Sequence, residues 1–444
     1  KSLTHGQTLV AALALARLLR PRLERQKNVG ILLPASAGAA LANLAISLLG
    51  RTPVNLNYTA APDSLASAVR QAGLRTVLTS RAFLDRLPGQ LRVPGPAFME
   101  DMLPGMTPGA RLRAWLSARF VPARALASAP RLFTADAPAA ILFSSGSTAE
   151  PKGIVLSHHN LLSNMESLRM VFNSKPGDNI CAALPFFHSL GFTAALWFPL
   201  LNGLSAAYHT NPLDGATIAK IVRTRKSRLL FATPSFLSIY LRKAAREDFA
   251  SLRLVVTGAE KLSQRLADAF EERFGVRPLE GYGATELSPV ATLSVPHAEV
   301  GGMFQAGWKQ GSVGLPLPGV AVRVADAETG APLPDGQPGL LLVKGPNVML
   351  GYLDRPDLTE DAIRGGWYCT GDIASIDEDG FVTIQDRLSR FSKIAGEMVP
   401  HAAVEEAFAA GADSAAPTLA VTSVPDEVRG ERIVVLHTAA AGGA

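Results

Sequence analysis

Residues 141–153 constrain this chain more than any other stretch. They read Ile-Leu-Phe-Ser-Ser-Gly-Ser-Thr-Ala-Glu-Pro-Lys-Gly. An apolar run from position 139 to 143 stops abruptly in hydroxyls and glycine, and Lys152 follows within a few residues. A strand that ends this way delivers a hydroxyl-rich loop to the edge of a sheet. Hydroxyls and backbone N–H groups at a Gly-rich turn make a concave donor array for anions. A lysine behind them adds a mobile point charge suited to phosphate. The same composition suits an ordinary surface turn. The strict P-loop pattern is absent, because Pro151 rather than glycine precedes the lysine. The functional expectation is a phosphate-binding loop made of Ser144, Ser145, Gly146, Ser147, Thr148 and Lys152.

The surroundings predict the sheet this loop belongs to. Strand-like runs at 28–34, 52–57 and 74–79 alternate with helix-like runs at 35–50 and 62–73. Such alternation gives a parallel sheet wrapped by helices. A Pro- and Gly-rich loop is expected over 94–108, and a second alternating stretch over 179–258, closed by a strand at 252–258. Leu262, Leu266, Phe270 and Phe274 recur every four residues, one face of a helix with Ser263 as its cap. Past Thr285 the texture changes to short strands at 320–324, 340–344 and 381–384, broken by Gly, Pro and Asp. The fold class is therefore α/β: two helix-wrapped, mostly parallel sheets plus a small β-barrel-like subdomain.

Composition narrows the function classes. Hydrophobic residues make up 48% of 444, enough for a large core, and only 18% are charged. Residues 189–207 carry no charge and reach the lower length limit of a spanning helix. Pro199, Asn202 and Gly203 interrupt them, which favours a buried helix followed by a strand. Two cysteines, Cys181 and Cys369, cannot frame a disulfide scaffold, and no secretion signal is expected at the N-terminus, so a cytoplasmic location is expected. The chain begins with Lys1 and ends in Ala-Gly-Gly-Ala, and it is expected to be a segment of a longer protein. Net charge is +5. Between residues 102 and 135 stand five arginines and no acid, interleaved with Leu112, Trp115, Leu116 and Phe120. Residues 220–228 hold five more cations. Both stretches read as solvated faces or as docking surfaces for an acidic protein or the inner face of an anionic membrane. Nucleic acid is a poor partner, since no groove-reading motif accompanies the charge.

Three further blocks follow the loop: Gly-Tyr-Gly-Ala-Thr-Glu at 281–286, Tyr-Cys-Thr-Gly-Asp at 368–372, and Asp-Arg-Leu-Ser-Arg-Phe-Ser-Lys-Ile-Ala-Gly at 386–396. Four motifs in this order resemble the adenylate-forming superfamily of acyl-CoA synthetases, luciferases and peptide-synthetase adenylation domains. The resemblance covers nearly the whole chain. It implies ATP and Mg2+ as cofactors and a reaction in which a carboxylate attacks the α-phosphate and a thiol then takes the acyl group. Lys152 would counter the β- and γ-phosphates, Thr285 would bond the α-phosphate, and Glu286 would hold the metal. Gly258, Ala259, Glu260, Gly281, Tyr282 and Gly283 would border the nucleotide, with Tyr282 against adenine. Asp372 and Arg387 would hold the ribose. His188 would stand beside the acyl carboxylate and Lys393 would attend thiol transfer. The resemblance also places a hinge at 386–389, including Ser389, between a domain at 1–385 and the start of a small mobile α+β domain at 386–444.

The run from Arg387 to Val399 is similar to the synthetase half of the bacterial bifunctional 2-acylglycerophosphoethanolamine acyltransferase/acyl-acyl-carrier-protein synthetases. That similarity implies a long-chain fatty acid as substrate and acyl carrier protein as thiol acceptor, with CoA as the alternative and lysophospholipid re-acylation by an acyltransferase domain outside this chain. A nucleotide-binding protein without catalysis is the reading from another class. Two departures stand out. Ala149 occupies a position that is usually glycine, and the late lysine that the family uses in adenylation is expected beyond Ala444, so adenylation by residues 1–444 alone is expected to be impaired.

Overall fold

The computed structural model describes residues 2–87, 93–126, 134–144, 150–394, 397–409, 419–426 and 430–437. Two seven-stranded sheets carry most of the chain. The first runs in the order Gly351–Tyr352, Gly153–Ser157, Pro138–Phe143, Thr52–Asn55, Asn28–Ile31, Val77–Thr79, Pro96–Phe98. Its pairs from Pro138–Phe143 onward are parallel, while Gly153–Ser157 and Gly351–Tyr352 add on antiparallel. The second repeats this plan. Leu315–Pro316 and Val290–Leu293 are antiparallel edge strands, followed by the parallel strands Pro278–Gly283, Leu254–Thr257, Leu229–Ala232, Asn179–Ala182 and Ser205–Tyr208.

The inner strands Leu229–Ala232 and Leu254–Thr257 are buried at every position and read as near-continuous apolar runs rather than alternating ones. One apolar core threads both sheets, from Leu15, Ile31 and Ile46 through Phe186 and Phe192 to Leu287 and Leu341. A second core packs Phe249, Phe270 and Phe274 beneath the second sheet. The helix predicted from the four-residue repeat spans Gln264–Phe274, and the Ser263 hydroxyl accepts from Leu266 N as its cap. The uncharged stretch 189–207 is a helical segment, Gly191–Trp197 and Phe198–Leu201, followed by the strand Ser205–Tyr208. Gly191 is required there, because a Cβ would sit 2.1 Å from the Pro185 carbonyl oxygen. Among the described residues no helix is long and apolar enough to cross a membrane.

The third sheet is wholly antiparallel: Ala321–Ala325, Gly339–Lys344, Trp367–Ile376 and Ile363–Arg364, with Val382–Arg387 on the other side of Trp367–Ile376. Register shifts at Leu340/Leu342 and Ile373/Ala374 interrupt the ladders, and bulges of this kind curl a sheet. Beyond Arg387 a short 3-10 turn, Leu388–Arg390, leads into a separate antiparallel sheet of Glu397–Pro400, Phe391–Ile394, Gly430–His437 and Leu419–Asp426, with the helix His401–Ala409.

Two elements differ from the sequence expectations. The 94–108 segment is not all loop: Pro96–Phe98 extends the first sheet and Met99–Met102 is helical. Proline at an edge strand costs no ladder bond if its nitrogen faces outward, so the composition concealed a strand. The N-terminal helix His5–Leu23 was not anticipated at all. It is started by a capping box between Thr4 and Gln7 and buries Leu15, Leu19 and Leu23.

Candidate active site

The site is assembled at one end of the second sheet, where the strand Pro278–Gly283 turns into the short helix Thr285–Leu287. This turn is tightly specified. A Cβ on Gly283 would fall 1.8 Å from the Pro289 carbonyl oxygen, so only glycine fits. The neighbouring strand Leu254–Thr257 pairs Thr257 with Glu280, which sets Gly258 beside Gly281; a Cβ on Gly258 would lie 3.0 Å from the Gly281 carbonyl oxygen. Ala259 (φ 70°) and Ser288 (φ 65°) are held in the left-handed region. Non-glycine residues rarely adopt it, and such strain gathers at functional sites.

The turn that carries Thr285 and Glu286 is held by the 347–349 segment, which Asn160 supports in turn, residues that the sequence motifs did not indicate. The Met349 amide donates to the Glu286 carbonyl at 2.8 Å, and Asn347 Nδ2 donates to the Leu287 carbonyl at 2.9 Å. Asn160 Nδ2 in turn donates to the Pro346 and Val348 carbonyls at 2.8 and 2.7 Å. Asn160 closes a capping box with Ser157, at the start of the helix that follows Gly153–Ser157. Lys152 immediately precedes that strand. One asparagine therefore ties the lysine's strand to the segment that supports Glu286.

The side chains complete the link. Tyr352 lies on the edge strand paired with Gly153–Ser157. Its hydroxyl donates to Glu286 Oε1 at 2.9 Å, and Lys152 Nζ stands 5.1 Å from the centre of its ring. The Thr285 hydroxyl is 3.2 Å from that of Ser189, which places His188 next to the same turn. Desolvation holds the His188 imidazole below its usual pKa, so it is neutral at pH 7 although one side of the residue remains open. Behind Lys152 lies a cavity of about 220 Å³ lined by Glu150, Tyr352 and Arg355 among others. A larger one, about 390 Å³ around Arg277 and Trp308, is lined by none of the expected site residues except through their neighbours Lys261 and Glu280.

The strand Trp367–Ile376 meets the 281–286 turn through Asp372. Asp372 is buried, its Oδ2 accepting from the Tyr282 hydroxyl at 2.5 Å. Arg387 Nε is 3.4 Å from Asp372 Oδ1, and the two residues are register partners. The Thr370 hydroxyl accepts from the Asp372 amide at 3.0 Å. Burial is the largest influence on Asp372 and raises its pKa, against the lowering effects of Tyr282 and Arg387. On the same strand Tyr368 is buried. Burial raises the pKa of all three phenols, Tyr282, Tyr368 and Tyr352.

Of the expected residues, contacts link Ser144 to Lys152, Lys152 through the Tyr352 ring to Glu286, Tyr282 to Asp372 and Asp372 to Arg387, while Thr285 meets Ser189 beside His188 and Gly258 lies against Gly281. Ser144 faces Lys152: its amide donates to the Lys152 carbonyl at 2.9 Å and its hydroxyl accepts from the Lys152 amide at 3.0 Å. Ser145, Gly146, Ser147, Thr148 and Ala149 lie outside the described residues. The Glu260 carboxylate is engaged by Ser235, accepting from its amide and hydroxyl at 3.1 and 2.6 Å. Ser389 sits in the Leu388–Arg390 turn, and Lys393 lies on the strand Phe391–Ile394 of the separate sheet. Among the described residues no three His, Cys, Asp or Glu side chains group as a complete metal site. Magnesium asks for less than that: one or two protein carboxylates, with phosphate oxygens and water supplying the rest. Glu286, with one carboxylate oxygen turned to Tyr352, fits that donor set.

A lysine at the start of the strand Gly153–Ser157, a Tyr-x-x-Thr-Glu turn and a buried aspartate bonded to its tyrosine, on two mostly parallel sheets and a curled third, define the adenylate-forming class. The AMP-binding enzyme model matches residues 1–353, and the chain belongs to that family. It is 36% identical over 299 residues to a long-chain-fatty-acid–CoA ligase of Yersinia pestis, covering 66% of this chain and 51% of that protein. It is 35% identical over 274 residues to a probable 4-coumarate–CoA ligase of Dictyostelium discoideum, covering 60% and 48%. The chain thus spans about half the length of these curated relatives. Among solved structures, ATP-bound MatB from Rhodopseudomonas palustris superposes with a TM-score of 0.77 at 26% identity, over 97% of this chain and 82% of that one. A Bacillus subtilis o-succinylbenzoate CoA synthetase in complex with ATP and magnesium shares the fold, with a TM-score of 0.79 at 22% identity over 97% and 84%.

Proposed function

We propose that this chain carries the nucleotide-binding body of an ATP-dependent ligase that activates a long-chain fatty acid as its acyl-adenylate and passes the acyl group to the thiol of CoA. The observation that carries the reading is the convergence on the 281–286 turn, where Tyr282 bonds Asp372 and Glu286 is held by Tyr352, whose ring faces Lys152. The fatty-acid and CoA specificities are supported by the named relatives.

In the first half-reaction a carboxylate oxygen of the fatty acid attacks the α-phosphorus of ATP. The bond from that phosphorus to the bridging oxygen breaks, and pyrophosphate leaves with its electron pair. Two anions must meet, so the protein's contribution is charge compensation and alignment. Lys152 compensates the leaving phosphates and Thr285 donates to the α-phosphate. Neutral His188 can donate one N–H to the incoming carboxylate without becoming a competing acid. Asp372, an acceptor when ionised, receives the ribose hydroxyls, and Arg387 balances its charge. Glu286, with Oε1 fixed by Tyr352, would hold magnesium, which supplies charge neutralisation at the phosphates. In the second half-reaction a thiolate attacks the acyl carbon, the acyl–oxygen bond to AMP breaks, and Lys393 attends this step.

Pyrophosphate release that requires both a long-chain fatty acid and magnesium, measured on the protein as encoded, tests the reading; no release with any fatty acid overturns it. A second reading replaces CoA by acyl carrier protein. It is favoured by the resemblance of the 387–399 segment to acyl-carrier-protein synthetases, and by the cations of the helix Gly215–Arg225 and its flank, which would attract an acidic partner. Weighing the product formed with each acceptor separates the two. AMP binding without turnover on either acceptor would leave a non-catalytic nucleotide-binding protein.

A further inference from the structure

The helix Pro108–Phe120 is built inside out. A surface helix ordinarily turns its large apolar side chains toward the core. Here the inward stripe is small: Ala110, Ala114 and Ala118 recur every four residues, and Ala114 is fully buried against Leu13 and Ala14 of the helix His5–Leu23. Ala118 packs on the same cluster, and Arg17 Nη2 donates to the Ser117 hydroxyl at 2.6 Å. The outward stripe holds Leu112, Trp115, Leu116 and Phe120, which are 57%, 50%, 42% and 69% exposed. Steps of three and four place them on one face. Leu103 and Val121, before and after the helix, are exposed as well. Burial of the alanines anchors the helix to the body, so the large side chains are left over for another surface.

Charge identifies that surface. Arg111, Arg113 and Arg119 are exposed on the same helix, and at 100° per residue Arg111 and Arg113 flank the apolar stripe on opposite sides while Arg119 lies within it. No acid occurs between positions 102 and 135. Aromatic and leucine side chains bordered by guanidinium groups suit the boundary between lipid headgroups and acyl chains. The patch is the convex outer face of one helix, and a deformable bilayer can receive it without a matching groove. We propose that this face docks on an anionic lipid bilayer, with Leu112, Trp115, Leu116 and Phe120 entering the interface and the three arginines meeting lipid phosphates.

Vesicle co-sedimentation of the full chain tests this without reference to turnover, so it stands or falls separately from the ligase reading. The chain is expected to sediment with phosphatidylcholine vesicles containing phosphatidylglycerol, and much less with phosphatidylcholine alone, and added salt should release it. Replacing all three arginines (Arg111→Gln, Arg113→Gln, Arg119→Gln) should lower partitioning on the order of 100-fold. Leu112→Ser with Trp115→Ser, Leu116→Ser and Phe120→Ser should abolish it. These positions are exposed, so thermal unfolding of both variants should match the parent and certify their folding. Tryptophan emission should shift to the blue on anionic vesicles in the parent and not in Trp115→Phe. Failure of the parent to bind, or equal binding by parent and variants, overturns the proposal. So does an acidic carrier protein or a second copy of the chain that occupies this face while vesicles do not.

Discussion

The Tyr282 hydroxyl donates to Asp372 at 2.5 Å across ninety positions of sequence, and joins the second sheet to the curled third sheet. A buried carboxylate held by a phenol is well placed to accept ribose hydroxyls but expensive to keep ionised.

That tension separates stability from binding. Asp372→Asn keeps an acceptor for Tyr282 and removes the buried charge. It should melt at the same temperature as the parent or higher, while AMP affinity falls by about 10- to 100-fold, as expected for losing hydrogen bonds to a charged group. Tyr282→Phe strips a partner from the carboxylate and should cost about 1–3 kcal/mol of stability. Thermal denaturation and calorimetric titration with AMP check both.

The pH dependence should carry opposite signs for the two properties. The folded-state pKa of Asp372 lies above its ordinary value, chiefly because of burial. The folded protein therefore holds this proton more readily than the unfolded chain, so the contribution of Asp372 to stability is present at acid pH and is lost as pH rises through the folded pKa. AMP binding needs the ionised form and should weaken as pH falls through that same value, beginning above the ~3.9 of a free aspartate. In Asp372→Asn this acid limb should vanish from the AMP titration.

Tyr352 is expected to matter for the metal rather than for nucleotide affinity alone. Tyr352→Phe releases Glu286 from its 2.9 Å bond, and the magnesium concentration for half-maximal pyrophosphate release should rise about 5- to 10-fold, the equivalent of one ordinary hydrogen bond. Tyr352→Ala also removes the ring face near Lys152 and should add a further loss of roughly 0.5–1 kcal/mol in ATP binding. A magnesium titration of Phe and Ala variants side by side distinguishes the two contributions.

Steric demands can be separated from site chemistry in the same way. Gly283→Ala drives a methyl into the Pro289 carbonyl and should destabilise by about 3 kcal/mol or prevent soluble expression. Phe249→Ala empties a fully buried position packed on Phe270 and Phe274. It should cost about 3–5 kcal/mol, yet leave AMP affinity intact at temperatures where the protein is folded. Denaturant titration alongside AMP binding reads both outcomes.

What the sequence made legible was local. Apolar runs marked the inner strands because both their faces are buried, and the repeat Leu262–Leu266–Phe270–Phe274 marked a helix because one face is. The serine loop, the Tyr-x-x-Thr-Glu turn and the aspartate motif each announced a chemistry within a few residues. What stayed hidden depends on distant pairing. Tyr352 reaches Glu286 only because its two-residue strand adds antiparallel to Ile154 and Val155. Asn160 and Asn347 read as ordinary polar residues until their carbonyl partners are folded against them. Glu260 stands in a motif, but its carboxylate finds Ser235 on the helix Pro234–Lys243. The helix His5–Leu23 lacks a clear polar stripe, because the helix Pro108–Phe120 covers part of it.

Asp372 and Arg387 close the final rung of the ladder between Trp367–Ile376 and Val382–Arg387, and the chain departs for the four-stranded sheet immediately afterwards. Whatever occupies the carboxylate must compete for, or recruit, the guanidinium at the root of that departing segment. Under the proposed ribose-binding role of Asp372, the seat of the small molecule and the root of the four-stranded sheet would be one joint, and loading the one would be felt by the other.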